Sequence, residues 1–405
     1  MNILFLCDEY PPGRHGGIGT VVQQLARESA RKGHNVVVVG FYDWGYGGED
    51  EFEDEGVKVY RFRRGMASSI FSKQETLFVR ALYKLFTVTG AFHRDIVKSI
   101  KMYEQFLLHL LHKHEIDIVE MPDFNDYVRH CKAVVPFPKL PVATLVKLNG
   151  SVSYFNREAG ITPAPHIWQI EHDILINADA VAGASRYTAD KTKEYLEYPG
   201  TIDVLYNTIK VPEVRHDIVK KDAQVTYTGS LAEKKGIYQL MKAWNLVHEK
   251  HPEAVLSVYG KGPVEKVQAF LNAKSKHSVQ FLGHVDRKVL FERLGESTVA
   301  VFPSYAECFA LAPMEAMGCG TTIVYSTRTS GPELIDNMVD GILVDPDDYE
   351  ELAEKICYLM ENPEKNKELA EKARQKIIDR FSVSPIVDEH IIYYNNVIRK
   401  HKGEG

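Results

Sequence analysis

Residues 299–335, VAVFPSYAECFALAPMEAMGCGTTIVYSTRTSGPELI, leave this chain few architectures. The apolar run 299–302 is stopped by Pro303, and a loop with a carboxylate in it follows. Residues 313–317 then read as helix, Gly318-Cys319-Gly320 stops it, and 321–325 is β-branched again. Strand, loop, helix and strand in that order read as a unit of an α/β sheet. The loop falls at a strand's carboxyl end, where open α/β sheets place their ligands. Glu307 lies in that loop and Glu315 eight residues on, inside the helix. Between them Phe309, Ala310 and Leu311 lead into the helix, so their backbone N–H groups can point at an anion. One carboxylate is placed for hydroxyls near a phosphate, the other for hydroxyls further along the same ligand. That pattern suits a sugar joined to a nucleotide through phosphates.

The run from Glu307 to Gly320, ECFALAPMEAMGCG, resembles the E-x7-E signature of retaining glycosyltransferases with the GT-B fold, family 4. The resemblance implies an α/β protein of two Rossmann-like domains facing across a cleft. Residues 1–207 would form an acceptor-side domain and 208–385 a nucleotide-sugar domain, with 386–405 a helix crossing back to the first. It also implies roles. Glu307 would bind sugar hydroxyls, Glu315 the ribose hydroxyls, and Phe309, Ala310 and Leu311 the phosphate.

The chain of 405 residues is long enough for two cores, and its 44% hydrophobic and 26% charged composition is that of a globular protein. A net charge of −6 gives no reason to expect nucleic acid. No apolar run approaches membrane-spanning length, and the first strand begins at residue 2 without a basic leader, so a cytoplasmic protein is expected. The cysteines at 7, 131, 308, 319 and 357 lack metal-ligand spacing and suit a reducing compartment. Cys308 beside Glu307 reads as a packing residue rather than a nucleophile.

Residues 2–40 read strand, glycine- and proline-rich loop, helix, strand, with Gly16, Gly17 and Gly19 just before the helix. Gly17-x-Gly19-x-x-Val22 is a broken dinucleotide fingerprint, which disfavours a nicotinamide dehydrogenase. The opening PPxxxGGxG is instead similar to that of the glycosyltransferase family. The resemblance gives Gly16 and Gly17 a place over the donor phosphate.

Residues 42–56, with seven acids among glycines, read as a solvated loop. Residues 61–113 reverse the sign, with ten Lys/Arg (Arg61, Arg63, Arg64, Lys73, Arg80, Lys84, Arg94, Lys98, Lys101, Lys113) against three acids. Phe71, Phe78, Tyr83, Phe86 and Phe92 are interleaved. Such a surface suits peripheral contact with anionic lipid at the inner membrane face and a lipid-linked acceptor, or a helical layer covering the sheet.

After a strand at 142–148 comes Asn149-Gly150, where family members commonly carry a histidine beside the transferred sugar. Asn149 cannot titrate. Glu171, Asp179, Ser185 and Asn207 resemble the run that closes the family's first domain. In the second domain Gly229-Ser230 to Lys235-Gly236 resembles a G-R-L-x-x-x-K-G motif that grips the diphosphate. Lys235 matches, and Ser230 stands where the arginine would be. Charge from Lys234, Arg186 or Arg328 is a candidate replacement. Gly260 and Val285 end two strands that flank the nucleotide base in the family. Asp345-Pro-Asp347 looks like a metal-binding pair but precedes a helix, so capping is expected and no essential metal.

The expected activity is metal-independent, retaining transfer of a sugar from a nucleotide-diphosphate sugar to a hydroxyl of a glycan, glycolipid or small molecule. Glu307, Lys235 and Asn149 would be the catalytic set, with no cofactor. The alternatives are a nucleotide-sugar-binding protein that has lost catalysis and a non-hydrolysing sugar-nucleotide epimerase. Sugar, base, acceptor and oligomeric state stay open.

Overall fold

The structure, a computed structural model, describes residues 1–13, 15–42, 48–65, 77–213 and 220–404. The chain divides into two compact units, Met1–Thr208 with Ile386–Gly405, and Ile209–Pro385.

The first unit is built on an eight-stranded sheet of β1 (Asn2–Leu6), β2 (Asn35–Tyr42), β3 (Glu51–Asp54), β4 (Val57–Arg63), β5 (Ile118–Pro122), β6 (Ala143–Leu148), β7 (Ala180–Gly183) and β8 (Asp203–Val204). The order is β3-β4-β2-β1-β5-β6-β7-β8. Every pairing is parallel except β3 on β4. Val36 to Val39 are wholly buried, as a strand covered on both faces requires. The helix Gly17–Arg31 buries Val21, Val22, Leu25 and Ala26, an i, i+1, i+4, i+5 stripe, and returns the chain to β2.

The last helix, Val383–Lys402, buries Ile386, His390, Tyr394 and Val397 along one face. Its polar contacts are buried as well. The Tyr394 hydroxyl donates to Glu120 at 2.5 Å, and His390 Nε2 lies 3.4 Å from Lys147 Nζ. Lys147 also donates to the Leu205 carbonyl. Burial raises the Glu120 carboxyl, and the nearby Lys147 charge opposes that rise.

The second unit is an all-parallel sheet of β9 (Gln224–Thr228), β10 (Val255–Tyr259), β11 (Val279–Gly283), β12 (Val299–Phe302), β13 (Thr322–Ser326) and β14 (Ile342–Val344). Its order is β11-β10-β9-β12-β13-β14. The helix Ile237–Lys250 covers it with Leu240, Met241, Trp244 and Val247, all buried.

Two expectations are corrected. Within the expected loop 42–56, Glu51–Asp54 forms an antiparallel edge strand, pairing Glu53 with Lys58 and Glu51 with Tyr60. Glutamates 51 and 53 are exposed on it, and charge on an edge strand discourages further pairing. The basic stretch 61–113 is also not one surface. Arg61 and Arg64 are each 3% exposed. The Arg61 guanidinium, carried inward by β4, donates to the Tyr10 and Pro12 carbonyls at 3.1 and 2.6 Å and lies over the Phe52 ring. Lys73 and Phe71 lie outside the described residues, as do the side chains of Phe78, Arg80 and Tyr83. Among the described residues no helix is long and apolar enough to cross a membrane.

Candidate active site

In the second unit β9 lies between β10 and β12, so the chain winds away from it in both directions. At such a switch point the loops leaving the two neighbouring strands part, and the gap at their carboxyl ends receives the ligand. The loops concerned are 229–236 after β9 and 303–310 after β12. They are tied together, the Tyr305 and Ala306 amides donating to the Lys234 carbonyl at 2.8 and 3.3 Å. Gly236 permits this approach. Its φ is +69°, and a Cβ there would stand 1.8 Å from the Pro303 carbonyl oxygen. Gly260, at φ +149°, comes as close to the Gly229 carbonyl, which brings the end of β10 against the same loop.

This packing carries Lys235 onto Glu307. The ammonium and carboxylate form an ion pair whose side chains are 25% and 13% exposed. The Ser304 hydroxyl donates to the same carboxylate oxygen at 3.2 Å. Below the pair the Tyr227 hydroxyl donates to the Ser230 carbonyl at 2.8 Å. Burial and the Glu307 charge together push the hydroxyls of Tyr227 and Tyr325 well above the ordinary range. The loop then enters the helix Leu311–Gly318, two residues earlier than the sequence pattern suggests. Ala310 is its N-cap and makes no side-chain capping bond. First-turn amides of a helix have no intrahelical acceptor. Phe309 is buried against Phe381, their ring centroids 5.4 Å apart.

Glu315 projects from this helix and is bound by the Arg287 guanidinium. Burial raises its carboxyl and the guanidinium opposes that rise. Sequence reading missed Arg287. Nothing in its own neighbourhood, GHVDRKV, marks it, because its partner lies 28 residues away. Gly229 and Val285 are half-buried and Ser230 is exposed. The Gly260 amide donates to the Gly283 carbonyl at 2.8 Å, two residues before Val285.

Gly16, Gly17 and Asn149 belong to the first unit. Gly16 is the N-cap and Gly17 the first residue of the helix Gly17–Arg31. One first-turn amide, that of Gly19, is already taken by the Glu9 carboxylate at 2.8 Å. The Asn149 and Gly150 amides donate to Asp123 at 2.7 and 3.2 Å, and Asn149 Nδ2 donates to the Lys147 carbonyl at 3.3 Å. Desolvation pushes the Asp123 carboxyl up to about 7 although these N–H donors favour its charge. Glu171 accepts from the Val152 and Ser153 amides, so the turn at Asn149 is fixed from both sides.

One further expectation needs correction. The Arg328 guanidinium lies 2.8 Å from Asp345 and 2.6 Å from Asp347. Those two aspartates do not cap the next helix. Asp348 does, accepting from the Glu351 amide at 2.8 Å. Arg186 lies in the first unit and donates to the Ile202 carbonyl at 3.3 Å. The five cysteines are buried. A hollow of about 680 Å³ at the amino edge of the second sheet, lined by Lys220, Thr298, Gly320 and Arg374 among others, shares none of these site residues.

Two Rossmann-like units in one chain are the GT-B architecture. Solved structures share this fold. Sucrose-phosphate synthase from Thermosynechococcus elongatus superposes with a TM-score of 0.74 over 98% of each chain at 18% identity. HepE of Anabaena, in complex with UDP and glucose, gives 0.66 over 98% of this chain and 100% of its own at 16% identity.

The chain belongs to the family 4, group 1 glycosyltransferases. The model "Glycosyltransferase Family 4" matches residues 15–211 and "Glycosyl transferases group 1" matches 212–376. A glycogen synthase of Mycobacterium tuberculosis (strain CDC 1551 / Oshkosh) is 24% identical over 395 residues, covering 94% of this chain and 91% of that protein.

Proposed function

We propose that the protein transfers a glycosyl group from a nucleotide-diphosphate sugar to a hydroxyl acceptor with retention of anomeric configuration and without a metal or cofactor. The observation that carries this reading is the Lys235–Glu307 pair at the β9/β12 switch point. A bound donor would insert its diphosphate beside the ammonium and its sugar hydroxyls beside the carboxylate. Gly229, Ser230 and the Phe309–Leu311 amides complete the phosphate cradle, and Gly260 and Val285 border the base. The departing phosphate, held by Lys235, takes the acceptor's proton on the face it leaves. Catalysis is then electrostatic and positional. Gly16, Gly17 and Asn149, in the first unit, are read as donor contacts from their motif positions alone. UDP and glucose bound to HepE favour a nucleotide-sugar donor.

The test is nucleotide release from UDP-, GDP- and ADP-sugars with an added glycan or glycolipid acceptor, after a thermal-shift screen of the same donors. Anomeric configuration in the product, read by NMR, decides retention. A nucleotide-sugar-binding protein without turnover is the second reading, favoured by Ser230 in the arginine position and by the prior engagement of Arg328. It predicts a melting-point rise with donor and no nucleotide release.

The acceptor is proposed to be reached at a cytosolic membrane surface. The solvent face of the helix Ala91–Lys113 carries Arg94, Lys98, Lys101 and Lys113 beside Val97, Met102 and Leu108. Leu85 and Val88, 53% and 68% exposed on the helix Leu77–Thr89, add apolar surface. Basic and apolar side chains on one face suit anionic headgroups. Flotation with anionic vesicles at low salt should carry the protein up, and failure to float would remove this part of the reading.

A further inference from the structure

Arg287 and Glu315 come from different helices, Arg287–Glu296 after β11 and Leu311–Gly318 after β12. The glutamate side chain is 13% exposed and the arginine 43%. A carboxylate this enclosed loses its charge easily unless a cation stays beside it. The guanidinium does so from the solvent side and lies over the Phe291 ring, 5.2 Å from its centroid, which limits where it can swing.

We infer that Arg287 is the positioning residue of the nucleoside subsite, holding Glu315 ionised and oriented to accept the two ribose hydroxyls of the donor. The inference rests on the reading of Glu315 as the ribose ligand. A ribose 2′,3′-diol has two O–H donors, and an ionised carboxylate, which accepts at both oxygens, matches it. A protonated carboxyl keeps one oxygen as a donor and loses half of that match. A guanidinium engaged with one oxygen leaves the carboxylate plane fixed and spare acceptor capacity for the diol. Cys319, the C-cap of the same helix, faces the Glu315 charge, and Arg374, Lys220 and Arg287 act on it as well. The Cys319 thiol is pushed up to about 12 by burial and so stays neutral through the working range. Arg287 is thus the cation in direct contact with the carboxylate.

The dependence on Arg287 should appear in donor affinity rather than in the chemical step. The experiment uses the full chain and its Arg287→Met, Arg287→Lys and Glu315→Gln variants. Titration calorimetry with UDP, GDP and ADP between about pH 6 and pH 9 gives Kd, and donor kinetics give KM and kcat.

Arg287→Met should weaken the best-bound nucleotide by about 10- to 100-fold near neutrality, the effect of a charge-assisted contact. It should recover part of that loss as pH rises and Glu315 ionises unaided. Arg287→Lys should stay within a few-fold of the parent, and Glu315→Gln should be weak throughout with a flat profile. KM for donor should follow Kd while kcat at saturation holds. Arg287→Met with parental Kd and no new pH dependence overturns the inference, even where Glu315→Gln loses binding and so keeps the ribose role intact. A parent protein that binds none of the three nucleotides overturns the donor-site reading and this inference with it. Melting curves of each variant show that the fold persists, as the exposure of Arg287 leads one to expect.

Discussion

Replacing Lys235 by methionine tests the site most directly, because it removes the charge and keeps the length of the side chain. A unit charge about 4 Å from the leaving oxygen interacts with one developing charge by about 4 kcal/mol at an effective dielectric near 20. Lys235 is 25% exposed, so part of that is screened by water. The expected loss is about 3–4 kcal/mol in the transition state, or roughly 10²–10³ in kcat. The same change leaves Glu307, 13% exposed, with the Ser304 hydroxyl but without its ammonium partner. Stability should fall by about 1–2 kcal/mol, a few degrees in Tm for a domain of this size. The double variant Lys235→Met, Glu307→Gln removes both charges and should regain most of the Tm but none of the turnover. Steady-state nucleotide release and differential scanning calorimetry on the parent, both singles and the double read the two effects apart. Parental kcat in Lys235→Met, or a double variant in which turnover returns with Tm, would refute the assignment.

Gly236→Ala forces a Cβ to 1.8 Å from the Pro303 carbonyl at a φ of +69°, so it should cost about 3 kcal/mol or more in urea unfolding; a parental midpoint would show that the loops are not in register as described. Burial and the Lys147 charge hold His390 neutral down to about 3. The unfolded chain, with a histidine near its ordinary value of about 6.5, therefore binds more protons below that pH, and stability falls as pH drops from about 6.5 toward 3. Glu120, whose raised carboxyl is protonated more readily in the folded chain, acts in the opposite sense. Comparison of the parent with His390→Gln isolates the histidine, and parallel stability curves across this window would contradict the buried neutral imidazole. Turnover should survive EDTA without added Mg²⁺ or Mn²⁺, and a loss that these ions restore would overturn the metal-free mechanism. Asn149→Ala should lower turnover by about tenfold with nucleotide Kd unchanged, and parental kinetics would leave Asn149 as a turn residue.

Much of the fold is legible in the chain because its signals are local. The buried strands announce themselves as apolar runs, such as 36–39 and 299–302, and glycine or proline marks where each stops. The edge strand Glu51–Asp54 was not legible, since four residues with three acids carry no strand signal until β4 offers them a partner. The basic stretch misled for a related reason. A sequence gives the charge of Arg61, whereas its burial comes from the direction in which β4 points it, toward the Tyr10 and Pro12 carbonyls.

By itself the sequence determined which residue types stand at which loops. Glu307, Glu315 and Lys235 were all visible, since spacing and flanking residues are properties of a linear string. Tertiary structure alone decided their company. Lys235 and Glu307 are 72 residues apart and meet because β9 and β12 are neighbours in the sheet. Arg287 reaches Glu315 because the helix Arg287–Glu296, which carries the chain from β11 to β12 across two intervening strands, packs against the helix that follows β12. Glu120 and Tyr394, 274 residues apart, are joined by the packing of the last helix on the first unit. Electrostatic pairing acts over a few ångströms of space, and sheet order, which brings distant loops within that range, is fixed by the packing of the whole domain.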